Sequence, residues 1–146
     1  PISSTRPIDS PTEVGIAVVG GAMGSTSAFH EGGDHVAVRT GSIAGDLAAA
    51  GDLSAYNDRW KDAIGDEVLR NVAMADVVHD YDPDDWDWAF STARKLMENS
   101  DGYGLFDTSN VRAGFGAARL VTSYKRTKFS FRNGKYVQFT ESEYTL

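Results

Sequence analysis

The glycines between residues 20 and 33 constrain the fold of this chain more than any other feature. Five glycines and almost no bulky side chains occupy these positions, directly after the apolar run 14–19. That run is short and rich in valine and isoleucine, which fits a fully buried strand, although so short a run is also compatible with a buried helix segment. We therefore predict an α/β, helix-rich fold, in which one buried strand leads into a glycine turn and long helices, and a β-hairpin lies near the C-terminus.

A strand, a glycine turn and a helix in this order can hold a phosphorylated cofactor, because the helix N-terminus presents unpaired N–H groups. Residues 35–50 read as that helix, with Gly41 and Gly45 four positions apart. Each glycine costs a helix about 1 kcal/mol relative to alanine, which favours close approach of a strand or a ligand at that face. A tight helix–sheet contact without a ligand explains the spacing equally well. Neither the dinucleotide fingerprint nor the Gly-Lys-Ser/Thr phosphate loop is present.

The same stretch resembles the second flavin-binding motif of FAD-dependent oxidoreductases of the geranylgeranyl reductase type. The positions that fit the register of that motif without a gap are Gly20, Ala22, Gly24, Gly32, Gly33, Ala37 and Gly41. The run 51–60, which carries acids, a tyrosine and a tryptophan, resembles the helix that follows the motif in that family. The resemblance covers residues 14–70.

The resemblance implies the C-terminal portion of an FAD-dependent oxidoreductase that reduces isoprenoid double bonds. FAD would be held by the turn and the helix start, at Gly20, Gly21, Ala22, Gly24, Gly32 and Gly33. The implied partners are an isoprenoid or lipid-like substrate, the rest of a flavoprotein chain or a partner subunit, and peripherally a membrane. The sequence assigns no catalytic residue and no metal ligand.

Four positions depart from the family pattern. Gly21 stands where the family has the aspartate that holds the flavin ribityl chain, and Ala28 stands in place of its proline. Glu31 replaces a glycine, and Asp34 replaces an isoleucine. These departures support an alternative function, a degenerate and non-catalytic flavoprotein relative that binds a protein partner or a membrane surface.

Beyond residue 51 the apolar spacing predicts three helices. They cover residues 54–79, Asp82 to about Glu98, and Thr108 or Ser109 to about Tyr124. Asp82 and Pro83 are typical of a helix start. One face of that helix carries Trp86, Phe90, Ala93 and Met97.

The Asn133-Gly134 pair predicts a two-residue β-hairpin over residues 128–139, with Phe131 facing Tyr136. The chain then divides into a lead-in or linker, a strand–turn–helix unit and a helical region that ends in the hairpin. Their bounds are 1–13, 14–50 and 51–146.

Charge is abundant and segregated. The chain carries 21 acids against 14 bases, and its aspartate-rich, lysine-poor composition predicts a halophilic protein in a high-salt cytoplasm. Eight acids lie between Asp76 and Asp101, whereas residues 108–140 hold seven bases and no acid. We expect these bases to pair with acidic helices of the same domain more than with anionic lipid, and we expect no nucleic acid partner. The absence of cysteine excludes disulfides and thiolate metal sites.

Overall fold

A computed structural model describes residues 6–27, 32–98 and 114–145 of the chain. Four α-helices lie in these ranges: α1 (Asp34–Ala49), α2 (Tyr56–Val78), α3 (Pro83–Glu98) and α4 (Gly114–Ser130). Three short 3₁₀ helices cover Thr12–Val14, Gly20–Met23 and Glu141–Glu143. None of the helices in the described ranges is both long and apolar enough to cross a lipid bilayer.

The helix α2 is the centre of the fold. Its apolar residues recur every three or four positions, so one face is continuously apolar and packs inward. Tyr56 and Trp60 are completely buried, and Ile64 is nearly so. Both α1 and α4 pack against α2, and α4 also packs against α3. The three helices predicted from spacing at residues 35–50, 54–79 and 82–98 are therefore confirmed within two residues at each end.

The predicted α/β fold is wrong, because the described ranges contain no β-strand. The run 14–19 does not form a buried strand: Gly15 adopts a left-handed conformation (φ 77°), and Val14 and Ile16 are about half exposed, at 49% and 50%. The backbone of Val18 bonds to side chains instead, since its N–H donates to Ser10 Oγ and its carbonyl accepts from Tyr56 Oη. Val/Ile content alone cannot make a strand when no neighbouring strand is available to pair with it.

The predicted C-terminal β-hairpin is also wrong. Helix α4 continues through Ser130, six residues past the predicted end at Tyr124, and residues 131–136 form consecutive turns. Asn133 (φ 58°) and Gly134 (φ 78°) adopt the left-handed conformation that the pair favours. In this structure, the left-handed conformation of the pair forms part of the turns at 131–136 that follow α4. The predicted caps Thr108 and Ser109 lie outside the described residues.

The N-terminal and C-terminal segments cross at a single isolated bridge between Ile8 and Phe139, which is parallel. The N–H of Gln138 donates to the carbonyl of Pro7 at 2.7 Å, and the N–H of Asp9 donates to the carbonyl of Phe139 at 2.8 Å. These contacts join chain segments about 130 residues apart and close the fold over α2.

Candidate functional site

The structure brings both groups of predicted cofactor-binding glycines to the N-terminal end of α1. The first group forms the 3₁₀ helix Gly20–Met23 and the left-handed residue after it, and the second directly precedes α1. The residues concerned are Gly20, Gly21, Ala22, Gly24, Gly32 and Gly33. The turn packs against α1, so the order of turn and helix is as predicted, although no strand precedes it.

Packing within the chain requires glycine at two of these positions, Gly20 and Gly24, and leaves little room for a side chain at a third, Gly33. A Cβ at Gly20 would lie 2.8 Å from Ala37 Cβ, and one at Gly24 would lie 2.9 Å from the carbonyl oxygen of Arg6. A Cβ at Gly33 would lie 3.1 Å from Thr26 Oγ1. Tight packing without a ligand therefore accounts for these positions. The contact joins α1 to a turn, whereas the sequence analysis expected a helix packed on a sheet.

A buried polar network joins the two ends of the chain to α2. Its members are Asp9, Ser10, Thr12, Asn57, Lys61 and Glu141. Asn57 is the centre: its Oδ1 accepts from the Ser10 N–H at 2.8 Å, while its Nδ2 donates to the Ser10 carbonyl at 2.9 Å and to Glu141 Oε2 at 2.7 Å. The side-chain amide thus replaces the backbone pairing that a neighbouring strand would supply.

The carboxylates of this network have different partners. Glu141 Oε1 accepts from both the N–H and the hydroxyl of Thr12, each at 2.6 Å. Burial alone would raise the pKa of Glu141, but the hydrogen bonds from Thr12, Asn57 and the Glu13 N–H outweigh it and lower that pKa. Asp9 Oδ2 accepts from Lys61 Nζ at 2.8 Å, whereas its Oδ1 is buried and accepts no hydrogen bond from the described residues. These contacts favour a structural role for the network, which connects both ends of the chain to α2.

A cleft of about 760 Å³ lies between α2 and the turns at 131–136. It is lined by bases and acids together: Arg39, Lys61, Arg70, Lys128 and Arg132, with Asp62, Asp66 and Glu67. Tyr136 and Gly65 contact each other there, and burial, together with the charges of Asp9, Asp66 and Asp62, raises the pKa of Tyr136 to about 12. The phenol therefore stays protonated at neutral pH. Bases of α4 and acids of α2 share this cleft, so it presents no single sign of charge.

The start of α3 is built from acids. Asp82 and Asp85 form reciprocal contacts, in which Asp82 Oδ1 accepts from the Asp85 N–H at 2.8 Å, and Pro83 occupies the first helical position. Asp84 and Asp87 are exposed. The surrounding stretch 71–93 contains six aspartates and no lysine or arginine. Negative charge near a helix N-terminus is favourable, which explains why the acids do not prevent this helix from forming.

Four aromatic rings form a continuous chain beside these acids. Trp88 contacts Tyr81 (6.5 Å between ring centroids), Tyr81 contacts Trp86 (5.6 Å), and Trp86 stacks on Phe90 (5.6 Å, interplanar angle 28°). The inner end of this chain faces α4, where the Arg119 guanidinium lies 5.3 Å from the Trp88 ring centroid. The outer end is open, since Phe90 is 66% exposed. Burial and the charge of Asp85 raise the pKa of Tyr81, while Arg119 opposes them.

We call this region the α3 surface: Tyr81, Trp86 and Phe90, with Asp84 and Asp87. The apolar spacing placed Trp86 and Phe90 on one helix face but did not identify that face as exposed. The signal available in the sequence was the combination of two large aromatic residues on one helix face with aspartates before and between them.

In the ranges that the structure describes, no three His, Asp or Glu side chains lie close enough together to hold a metal ion. His35 contacts the Glu67 carboxylate on the surface, and Arg39 lies 3.5 Å from the same carboxylate. His30 lies outside the described residues.

Comparisons of this chain with protein-family models, with curated proteins and with solved structures found no match.

Proposed function

We propose that this chain is a partner-binding module, and that its α3 surface binds a basic segment of another protein. The observation that carries the proposal is the exposed stack of Phe90 on Trp86 within a stretch of six aspartates. This is the partner-binding alternative of the sequence analysis, now assigned to specific residues.

Apolar area and charge both favour a basic partner. Large aromatic side chains each bury about 150–250 Å² on association and are enriched among the residues that contribute most to binding. Exposed carboxylates around them attract a basic partner from a distance and reject an acidic one. Asp87, three positions before Phe90 on the helix, supplies such charge next to the stack, and the exposed Asp84 adds charge at the start of the same helix. A basic segment thus satisfies both the apolar and the charged parts of the α3 surface.

The test is a titration of the 146-residue chain with a short synthetic peptide of alternating arginine and serine, followed by calorimetry. We expect saturable binding, which Phe90→Ala weakens by about tenfold. The combined variant Asp84→Asn, Asp87→Asn should also weaken binding, and added salt should reduce the affinity of the unmodified chain because exposed charges are screened.

The chain contains a matched control for each variant. Phe129 is exposed to a similar degree, at 69%, but lies in the basic helix α4 under the Arg132 guanidinium. Phe129→Ala and the exposed-acid variant Asp58→Asn should leave peptide affinity unchanged. Equal loss of affinity in Phe90→Ala and Phe129→Ala would contradict the proposal, as would binding that none of the α3 variants changes.

The flavoprotein function stays a prediction. What favours it is the meeting of the two glycine groups at the start of α1. A groove of about 370 Å³ adjoins the turn at Ala22 and Gly24. The visible absorption spectrum of natively purified protein tests it, since bound flavin absorbs in the visible range. Gly21→Asp, which restores the family's ribityl-binding carboxylate, should strengthen FAD binding if the turn holds the cofactor.

A further inference from the structure

We infer that the group bound by the α3 surface is an arginine side chain of the partner, with its guanidinium stacked on the Trp86–Phe90 pair. This inference rests on the proposed function and narrows it from basic segments in general to segments that carry arginine. The two ends of the aromatic chain in α3 supply the argument.

The inner end shows how this aromatic chain accommodates a cation. There, the Arg119 guanidinium covers the Trp88 ring at 5.3 Å, and Tyr81 connects that ring to Trp86. At the outer end the same kind of surface, an indole stacked with a phenyl ring, is left 66% exposed at Phe90. One end of a four-ring chain is thus covered by an arginine within the molecule, and the other end presents a comparable ring surface to the solvent.

An acid next to the outer end favours arginine over lysine. On a helix, residues three or four positions apart are neighbours, so Asp87 lies beside Phe90. A guanidinium is planar and can stack on a ring while its edge donates two hydrogen bonds to a carboxylate. An ammonium group is a compact, strongly hydrated charge that can attract the ring but cannot stack on it.

The experiment compares two peptides of equal length and charge, one with arginine and one with lysine at every basic position. We expect the arginine peptide to bind the unmodified chain about fivefold more tightly or better. Phe90→Ala and Trp86→Ala should reduce this preference toward unity, whereas Phe129→Ala should preserve it. A preference that survives both α3 variants would show that the stack does not cause it.

The outcomes separate the inference from the function on which it rests. Equal binding of the two peptides, sensitive to Phe90→Ala, would overturn the arginine inference and leave the proposed function standing. Absence of binding by either peptide would overturn both. Sedimentation of the chain alone adds one more outcome: self-association that Phe90→Ala abolishes, without peptide binding, would identify a second copy as the occupant and overturn the inference.

Discussion

Asn57, at the centre of the buried polar network, is shielded from water, whereas Phe90 of the α3 surface faces it. Asn57 is 5% exposed and all of its amide donors and acceptors are used, while Phe90 is 66% exposed and contacts Trp86 on one side. Each region therefore contains residue types that are more common in the other environment.

The difference separates what stabilises this fold from what is available to a partner. A buried polar group stabilises a fold only when it is hydrogen-bonded, so the complete bonding of Asn57 indicates a structural role. An exposed aromatic ring contributes little to folding and leaves apolar area that a partner can cover. Variants in the network should accordingly change stability, and Phe90→Ala in the α3 surface should change binding with little change in stability.

The largest effect is expected from Asn57→Ala. The substitution leaves the Ser10 N–H and carbonyl without their partners and removes one donor to Glu141, so the free energy of unfolding should fall by about 3 kcal/mol. Urea unfolding measures the change. The exposed neighbour Asp58 provides the control, since Asp58→Ala should change stability by about 0.5 kcal/mol or less. Similar free energies of unfolding for Asn57→Ala and Asp58→Ala would show that the network does not stabilise the fold.

Gly65→Ala should destabilise the fold by about 2 kcal/mol, because over-packing a rigid core is unfavourable. The new Cβ would lie 2.5 Å from Tyr136 Oη, and Tyr136 is itself 8% exposed and cannot move freely. Removing the hydroxyl with Tyr136→Phe should restore much of the loss in the double variant. At Gly41, where a Cβ would meet nothing within 4 Å, the same substitution should raise stability by about 1 kcal/mol. Stabilisation at both positions would refute the close contact.

Acid should weaken the buried polar network through Glu141. Because the folded pKa of Glu141 is lower than its ordinary value of 4.5, its stabilising contribution is complete above that value and is lost as the pH falls through the folded pKa. Glu141→Gln should therefore lower stability at neutral pH and reduce its decline below about pH 4.5. Thermal unfolding across this range, with Glu13→Gln as the control, measures the effect. If the stability of Glu141→Gln falls with pH as it does in the unmodified chain, the Glu141 carboxylate does not stabilise the network.

The smallest effect on stability is expected from Phe90→Ala, within about 0.5 kcal/mol, because an exposed side chain loses little contact. Phe90→Ala should also weaken peptide binding as described above. Stability and peptide affinity should be measured on the same preparation of the variant. A large loss of stability would show that Phe90 is part of the core and would remove the distinction between the two regions.

Helices α1, α2 and α3 could be predicted from the sequence because their signals are local. The Asp82-Pro83 start of α3 and the regular burial of Tyr56, Trp60 and Ile64 on α2 involve residues within one or two helical turns. The helix after the glycines was predicted correctly, but the packing of Gly20 against Ala37 and of Gly24 against Arg6 depended on segments that only the fold brings together.

The strand and the hairpin were wrong for a related reason. Apolar β-branched residues at 14–19 and the Asn133-Gly134 pair are compatible with strands, yet a strand forms only when a partner lies alongside it. Among the described residues, Val18 bonds to the side chains of Ser10 and Tyr56, and the turns at 131–136 follow the end of α4. In the described part of these segments, strand-like backbone pairing is limited to Gln138 and Phe139, which contact residues 7–9 and not a second strand of a hairpin. The local propensities of both segments were compatible with a strand and with irregular structure or turns. Tertiary contacts selected irregular structure and turns, although the residue pattern favoured strands.

The sequence by itself determined the helical segments and the separation of acidic from basic stretches, because helix hydrogen bonds and charge runs involve residues close together along the chain. Only the tertiary structure decided that residues 10, 57 and 141 form one buried network and that the aromatic chain of α3 is covered at Trp88 and open at Phe90. These features depend on contacts between distant segments, and the pairing of such segments is set by packing of the whole chain.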